Sequence, residues 1–206
     1  NRGKGYYKFL RIIKNNLCLF LGKKEILDYR ECFFCNKKRK FILLKNTTLK
    51  VGSTCIICGT SLRNNLVLEI LKKYLKEDFV VYNTASVGSV FQYLKNKMNP
   101  NNFYYSDYCG EMDFGKVIRG VRNENLEKLT FENEKFDIVI SEEVFEHIMD
   151  YKKAFKEIAR VLKSGGVHIF TVPIHENNKT LERIKNGVNL QGVVYHGDYL
   201  RDGIAV

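Results

Sequence analysis

Apolar and polar positions along the chain predict alternating strands and helices over its second half. Residues 136–141 (FDIVIS) are β-branched and aromatic apart from Asp137 and the closing serine, the pattern of a strand buried on both faces. From Tyr151, apolar residues recur at Ala154, Phe155, Ile158, Val161 and Leu162, the spacing of one helical face. Ser164-Gly165-Gly166 supplies the positive-φ residues that end a helix, and 167–172 resumes a strand pattern that Pro173 stops. A strand, crossover helix and strand of this length form a βαβ unit, so a parallel sheet is expected. Upstream, 79–83 (FVVYN) reads as the first parallel strand, followed by a loop over 84–88 and a helix over 89–97. A second strand is expected at 103–106 and a third at 117–121. Ser61 reads as the N-cap of an apolar helix that runs towards Glu77. Near the start, 5–21 carries apolar residues at near-helical spacing with Lys8, Arg11 and Lys14 interleaved. That pattern predicts a basic amphipathic helix that packs on the body or touches a membrane surface.

Composition bounds this picture. At 206 residues and 45% hydrophobic, the chain suits one packed domain and a small appendage. No apolar run approaches the roughly 18 residues needed to span a bilayer, so a soluble, cytoplasmic protein is expected. The chain opens at Asn1 rather than methionine, which fits a trimmed sequence. The formal charge of +11 is uneven: residues 1–80 hold 18 Lys and Arg against 6 Asp and Glu, and the remainder holds 16 against 17. A basic N-terminal part fits an anionic partner such as RNA, a lipid surface or a phosphorylated substrate, or a plainly solvated surface.

Cysteine spacing adds chemistry. Cys32-x2-Cys35 and Cys55-x2-Cys58 are separated by nineteen residues. Each pair puts two thiolates on one tight turn, and two such turns brought together give tetrahedral Zn–S geometry. A hairpin over 39–51 is expected to carry the second knuckle back to the first, with Gly59 supplying positive φ. Disulfides and a redox motif are the competing readings, and the duplicate spacing favours structural zinc. With four protein ligands the metal would have no open position for chemistry. Cys18 and Cys109 read as core thiols.

The stretch 136–173 resembles the end of a class I S-adenosylmethionine (SAM)-dependent methyltransferase, of the methyltransferase type 11 kind. The matching pieces are Phe136-Asp137, Glu146-His147 and Arg160-Val161-Leu162-Lys163-Ser164-Gly165-Gly166, with serine where the family usually has proline. The resemblance implies a Rossmann-like α/β sheet and a SAM site. Its glycine loop falls on 82–88, with Tyr82 in the acidic position and Thr84, Ser86 and Gly88 in the glycine positions. Asp107, at the end of the second strand, is implied to accept hydrogen bonds from the cofactor ribose. Asn125 and the backbone N–H of Leu126 are implied to meet adenine. Glu142 lies beside the crevice, His147 faces the methyl and the substrate as a proton acceptor, and His175 contacts the substrate. The family sheet usually has seven strands. Here 203–206 resembles only the start of the sixth, so the sheet is read as lacking its last strands.

Three segments are therefore expected: a basic amphipathic stretch over 1–30, a zinc ribbon over 31–60 and a methyltransferase-like domain over 61–206. The whole resembles zinc-ribbon-bearing methyltransferases of surface-polysaccharide loci. That implies methyl transfer to an oxygen or nitrogen nucleophile of a small molecule or saccharide. Two alternatives stand beside it. One is an RNA methyltransferase that uses the basic ribbon, and the other is a non-catalytic scaffold whose altered loop no longer holds SAM productively.

Overall fold

The computed structural model describes residues 2–45 and 52–173, together with the short strands at 184–185 and 188–189. The chain divides into two compact units, Asn1–Tyr74 and Leu75–Val206. His175 and the 203–206 stretch lie outside the described residues.

In the first unit, helix α1 (Arg2–Phe20) precedes strands β1 (Lys24–Cys32), β2 (Lys37–Leu44) and β3 (Thr54–Cys55), then helix α2 (Leu62–Tyr74). The strands form an antiparallel sheet in the order β1-β2-β3. β2 is central, and it buries Phe41, Ile42 and Leu43. The hairpin differs from the expected one over 39–51. It joins β1 to β2, pairing Cys32 with Lys37 around a turn that is itself the first knuckle. β3 then pairs Cys55 with Phe41, which returns the second knuckle to the first. Ser61 Oγ accepts from Asn64 N at 3.1 Å and caps α2 as expected. α2 falls in this unit, whereas the sequence put the boundary near residue 60. The reason is Asn65, buried on α2: its Oδ1 accepts from Phe33 N at 2.8 Å and its Nδ2 donates to Glu31 O at 2.9 Å. That polar clasp ties the helix to the first knuckle.

In the second unit, β4 (Val81–Asn83), α3 (Gly88–Lys97), β5 (Phe103–Asp107), β6 (Val117–Ile118), β7 (Val121–Asn123), β8 (Phe136–Glu142), α4 (Tyr151–Val161) and β9 (Leu162–Thr171) follow in order. Strands β10 (Ile184–Lys185) and β11 (Val188–Asn189) form a separate antiparallel pair. The main sheet has the order β6-β7-β5-β4-β8-β9, with every pair parallel except β6–β7. This is the Rossmann-like α/β sheet that the pattern predicts. The expected third strand over 117–121 is in fact a tight hairpin. Arg119 and Gly120 both take positive φ, 51° and 86°, so the chain reverses there and the parallel strand is β7.

Ile138, Val139 and Ile140 on β8 are fully buried. Under the sheet Tyr82, Phe131 and Phe136 pack with ring centroids 4.8 to 5.2 Å apart. Asp137, the one charge in the β8 run, is explained by its bonds: Oδ2 accepts from Val80 N at 2.8 Å and from Lys163 Nζ at 2.7 Å. One carboxylate thereby pins the entry to β4 and the start of β9 on either side of β8. Gly166 is required by space, since a Cβ there would meet Lys163 O at 2.9 Å and Asp137 O at 3.2 Å. The expected 164–166 turn lies within β9, where Gly165 takes φ 76°.

Candidate functional site

β4 has β5 on one side and β8 on the other, so the sheet order reverses there. Beyond the carboxyl ends of such strands an open α/β sheet leaves a crevice. The crevice has a volume of about 170 Å³ and opens to solvent. Its lining includes Thr84 from the loop after β4, Tyr108 and Glu111 from the loop after β5, Asn125 and Leu126 after β7, and His147 after β8. Four of the residues singled out in the sequence (Thr84, Asn125, Leu126 and His147) thus meet in one cavity.

The loop after β4 is fixed at both ends. Thr84 N donates to Ile140 O at 2.9 Å. Thr84 Oγ1 is buried and has no hydrogen-bond partner, an orphaned hydroxyl on the crevice wall. Ser86 engages Asp107 twice, N to Oδ1 at 2.8 Å and Oγ to Oδ2 at 2.5 Å. Asp107 therefore reaches across from β5 to clamp the loop. Gly88 opens α3 with φ 91°, the conformation that a glycine there allows.

Tyr82, in the family's acidic position, is fully buried, and its hydroxyl shares a 2.7 Å hydrogen bond with Ser106 Oγ on β5. Burial pushes its phenol well above the usual range, so it stays protonated. Sequence reasoning passed over Ser106. The signal was a buried tyrosine, whose hydroxyl needs a partner on the neighbouring strand.

The loop after β7 is held by buried polar groups that the apolar pattern does not reveal. Asn123 Oδ1 accepts from Cys109 N at 2.7 Å. Glu124, nearly fully buried, accepts from Arg122 Nε at 2.6 Å and from Thr130 N at 2.9 Å. Asn125 Oδ1 accepts from Glu127 N at 2.8 Å, an Asx turn around the buried Leu126. Glu127 Oε1 in turn accepts from Met149 N at 3.0 Å and Asp150 N at 3.1 Å, which couples this loop to the start of α4. Behind it, Arg160 donates to Leu129 O and Phe131 O at 2.8 Å each and pairs with Glu157 at 2.8 Å.

His147 sits in a short 3-10 turn after β8, with Nε2 3.9 Å from Glu146 Oε1. Glu142 ends β8 opposite Thr171 and lies at the strand's carboxyl end, outside the cavity lining. His168, on β9, is a different kind of histidine. It stacks on Phe170 with centroids 5.0 Å apart, bonds Ser141 Oγ at 2.9 Å, and is lowered to about 4 by burial.

The second candidate centre is in the first unit. The thiols of Cys32, Cys35, Cys55 and Cys58 lie within 4.8 Å of one another. A tetrahedron of 2.3 Å Zn–S bonds has edges of about 3.8 Å, so the donor set and its size suit zinc. All four cysteines are free thiols in this structure. Thiol hydrogen bonds from Cys32 and Cys55 lower Cys58 to about 4, while the same contacts raise Cys32. Gly59 takes φ 80° after the second knuckle, as its position predicts. Arg11 of α1 donates to Cys58 O and Thr60 Oγ1 lies 3.2 Å from Cys58 Sγ, outer contacts that orient the ligand.

Comparison with known proteins agrees with the crevice. Residues 84–170 match the family described as "Methyltransferase domain". Over 80 residues the chain is 39% identical to a sarcosine/dimethylglycine N-methyltransferase of Aphanothece halophytica, which is 39% of this chain and 27% of that protein. Among solved structures it is similar to the YcgJ protein of Bacillus subtilis, with 22% identity, a TM-score of 0.42, and coverage of 52% of this chain and 50% of that one. It is also similar to a SAM-dependent methyltransferase of Aquifex aeolicus, with 18% identity, a TM-score of 0.40, and coverage of 56% and 68%. The chain spans about a quarter of the length of the curated relative and half that of the first structure. The matched segment runs from the loop after β4 into β9, so the part of the chain that builds the crevice is the part that is similar to a methyltransferase domain.

Proposed function

We propose that the protein is a SAM-dependent methyltransferase acting on an oxygen or nitrogen nucleophile of a small acceptor. The observation that carries this reading is the convergence of Thr84, Asn125, Leu126 and His147 on one crevice at the sheet's switch point. When bound, SAM supplies an electrophilic methyl group on a sulfonium. The residues present fit it. The orphaned Thr84 hydroxyl is available to its amino-acid end and the turn at Asn125 and Leu126 to its adenine, whereas Asp107, outside the crevice lining and with both oxygens accepting from Ser86, has only its remaining lone pairs to offer the ribose. In-line methyl displacement needs little from the protein beyond positioning and removal of one proton.

His147 is the group for that proton. A neutral imidazole takes it from the acceptor's hydroxyl or ammonium, and the nearby Glu146 carboxylate stabilises the resulting charge. Nitrogen is the favoured acceptor atom, because the N-methyltransferase relative is similar over 80 residues. A saccharide hydroxyl is the second choice, resting on the resemblance to surface-polysaccharide enzymes. The four-cysteine cluster is read as a structural zinc site, on the strength of its closed donor set.

A two-part measurement tests the reading. Calorimetry with S-adenosylhomocysteine should give one site per chain, and no heat at millimolar ligand would end the enzyme reading. Transfer of a labelled SAM methyl group should then be followed with sarcosine, a nucleotide sugar and RNA as acceptors. His147→Gln should lower transfer about a hundredfold while ligand binding persists. An unchanged rate would remove His147 from the chemistry.

A further inference from the structure

We propose that the outward face of α1 docks on an anionic lipid surface, with the helix lying along the membrane interface. In an ordinary amphipathic helix the one apolar stripe faces the core, but α1 carries a second apolar stripe that faces outward. Its inward side is mixed, with half-buried Ile12, Cys18 and Leu19 beside two committed polar residues. Asn15 is buried, its Nδ2 donates to Ile56 O at 3.1 Å, and its Oδ1 accepts from Lys24 Nζ at 3.0 Å. Arg11 bonds Cys58 O.

At 3.6 residues per turn, Phe9, Leu10, Ile13, Leu17 and Phe20 fall within an arc of about 100° on the opposite side. All five are exposed, from 41% at Leu10 to 88% at Phe20. Five large apolar side chains in one stripe are a contiguous patch, not scattered surface residues.

Charge selects the occupant. Residues 1–45 hold 13 Lys and Arg against 3 Asp and Glu, and Lys8, Lys14 and Lys23 are exposed on and just after the helix. An anionic bilayer offers both matching layers at the right depths, acyl chains for the leucines and isoleucine and phosphate headgroups for the amines. Nucleic acid would answer the amines but leave the aliphatic stripe in water. No described helix is long and apolar enough to cross a membrane, so the helix would lie in the interface rather than span it.

The test is co-sedimentation of the whole chain with vesicles, either phosphatidylcholine alone or phosphatidylcholine mixed with phosphatidylglycerol. The proposal expects partition onto the mixed vesicles only, weakened by salt. Replacing Ile13 and Leu17 by serine should cut that partition at least about tenfold. Both side chains point outward, so the variant's circular dichroism and zinc content should match the parent. Lys14→Gln with Lys23→Gln should weaken binding to the mixed vesicles while leaving the fold intact. Equal partition onto both vesicle types, or an unchanged Ile13/Leu17 variant, would overturn the proposal. So would a parent dimer on gel filtration that the serine variant dissolves, because the stripe would then belong to a second copy.

Discussion

On the proposed reading, Ser86 is the residue that tunes cofactor affinity. It occupies a position where the resembling family has glycine, and its hydroxyl and amide together engage both oxygens of Asp107. Ser86→Gly removes one of these bonds and frees Asp107 Oδ2. A hydrogen bond to a charged acceptor contributes about 1.5 kcal/mol, so S-adenosylhomocysteine should bind about tenfold more tightly to this variant by calorimetry. Weaker binding would instead make the Ser86 hydroxyl part of the cradle. Asp107→Asn should weaken binding in either background.

His168 sets an acid limit on stability. Burial lowers its folded value to about 4, below the unfolded value of about 6.5, so the unfolded chain binds the extra proton between these limits. Stability is fully present above pH 6.5 and is lost as pH falls towards 4. Because the ring is only partly covered, the loss is about 2 kcal/mol rather than the full shift. His168→Phe should flatten the pH dependence of Tm over that window, and a slope equal to the parent's would show that other groups dominate.

Between elements, a polar connector holds the loop behind the crevice. Arg160 spans from α4 to the carbonyls of Leu129 and Phe131 while pairing with Glu157, whose carboxyl it holds below the usual range. Arg160→Lys should cost about 2 kcal/mol in chemical denaturation, since one ammonium cannot replace a planar fork that serves several acceptors. On the zinc reading, the first unit would depend on its metal in the same sense. Metal analysis should find one zinc per chain, and strong chelation or Cys55→Ser should unfold the first unit and release it to protease.

What was legible followed the same division. β8, α4 and β9 were readable because burial on a known face imposes a period on the sequence, and the two knuckles because metal ligands impose a spacing. The β6–β7 hairpin was not, since Gly120 alone marks its turn and Arg119, which also takes positive φ, gives no such signal. The bond between Asn123 and Cys109, and that of Ser86 to Asp107, involve polar residues whose partners lie elsewhere in the fold. Periodicity says nothing about such pairs.

On the scale of the molecule, the two units differ in how their contacts are spaced along the chain. The first is built from neighbouring antiparallel strands and its four thiols. The second places its first strand, β4, between β5 and β8. The charge asymmetry was visible in the sequence, but the outward turn of the α1 apolar stripe was not. Periodicity identifies an amphipathic face without saying which way it points.

The Asp137 anchor has a consequence for biogenesis. β4 is made early, yet the carboxylate that pins its entry is encoded 57 residues later, and the lysine that completes the anchor later still. Order of synthesis and order of assembly are therefore uncoupled in the second unit. A nascent chain emerging from the ribosome can close its antiparallel ribbon while β4 still waits, apolar and unpaired, for β8. Chaperone dependence should concentrate in that interval. Ribosome-bound chains stalled before residue 137 should show protease resistance in the first unit alone, and chains long enough to expose residue 171 should show it in both.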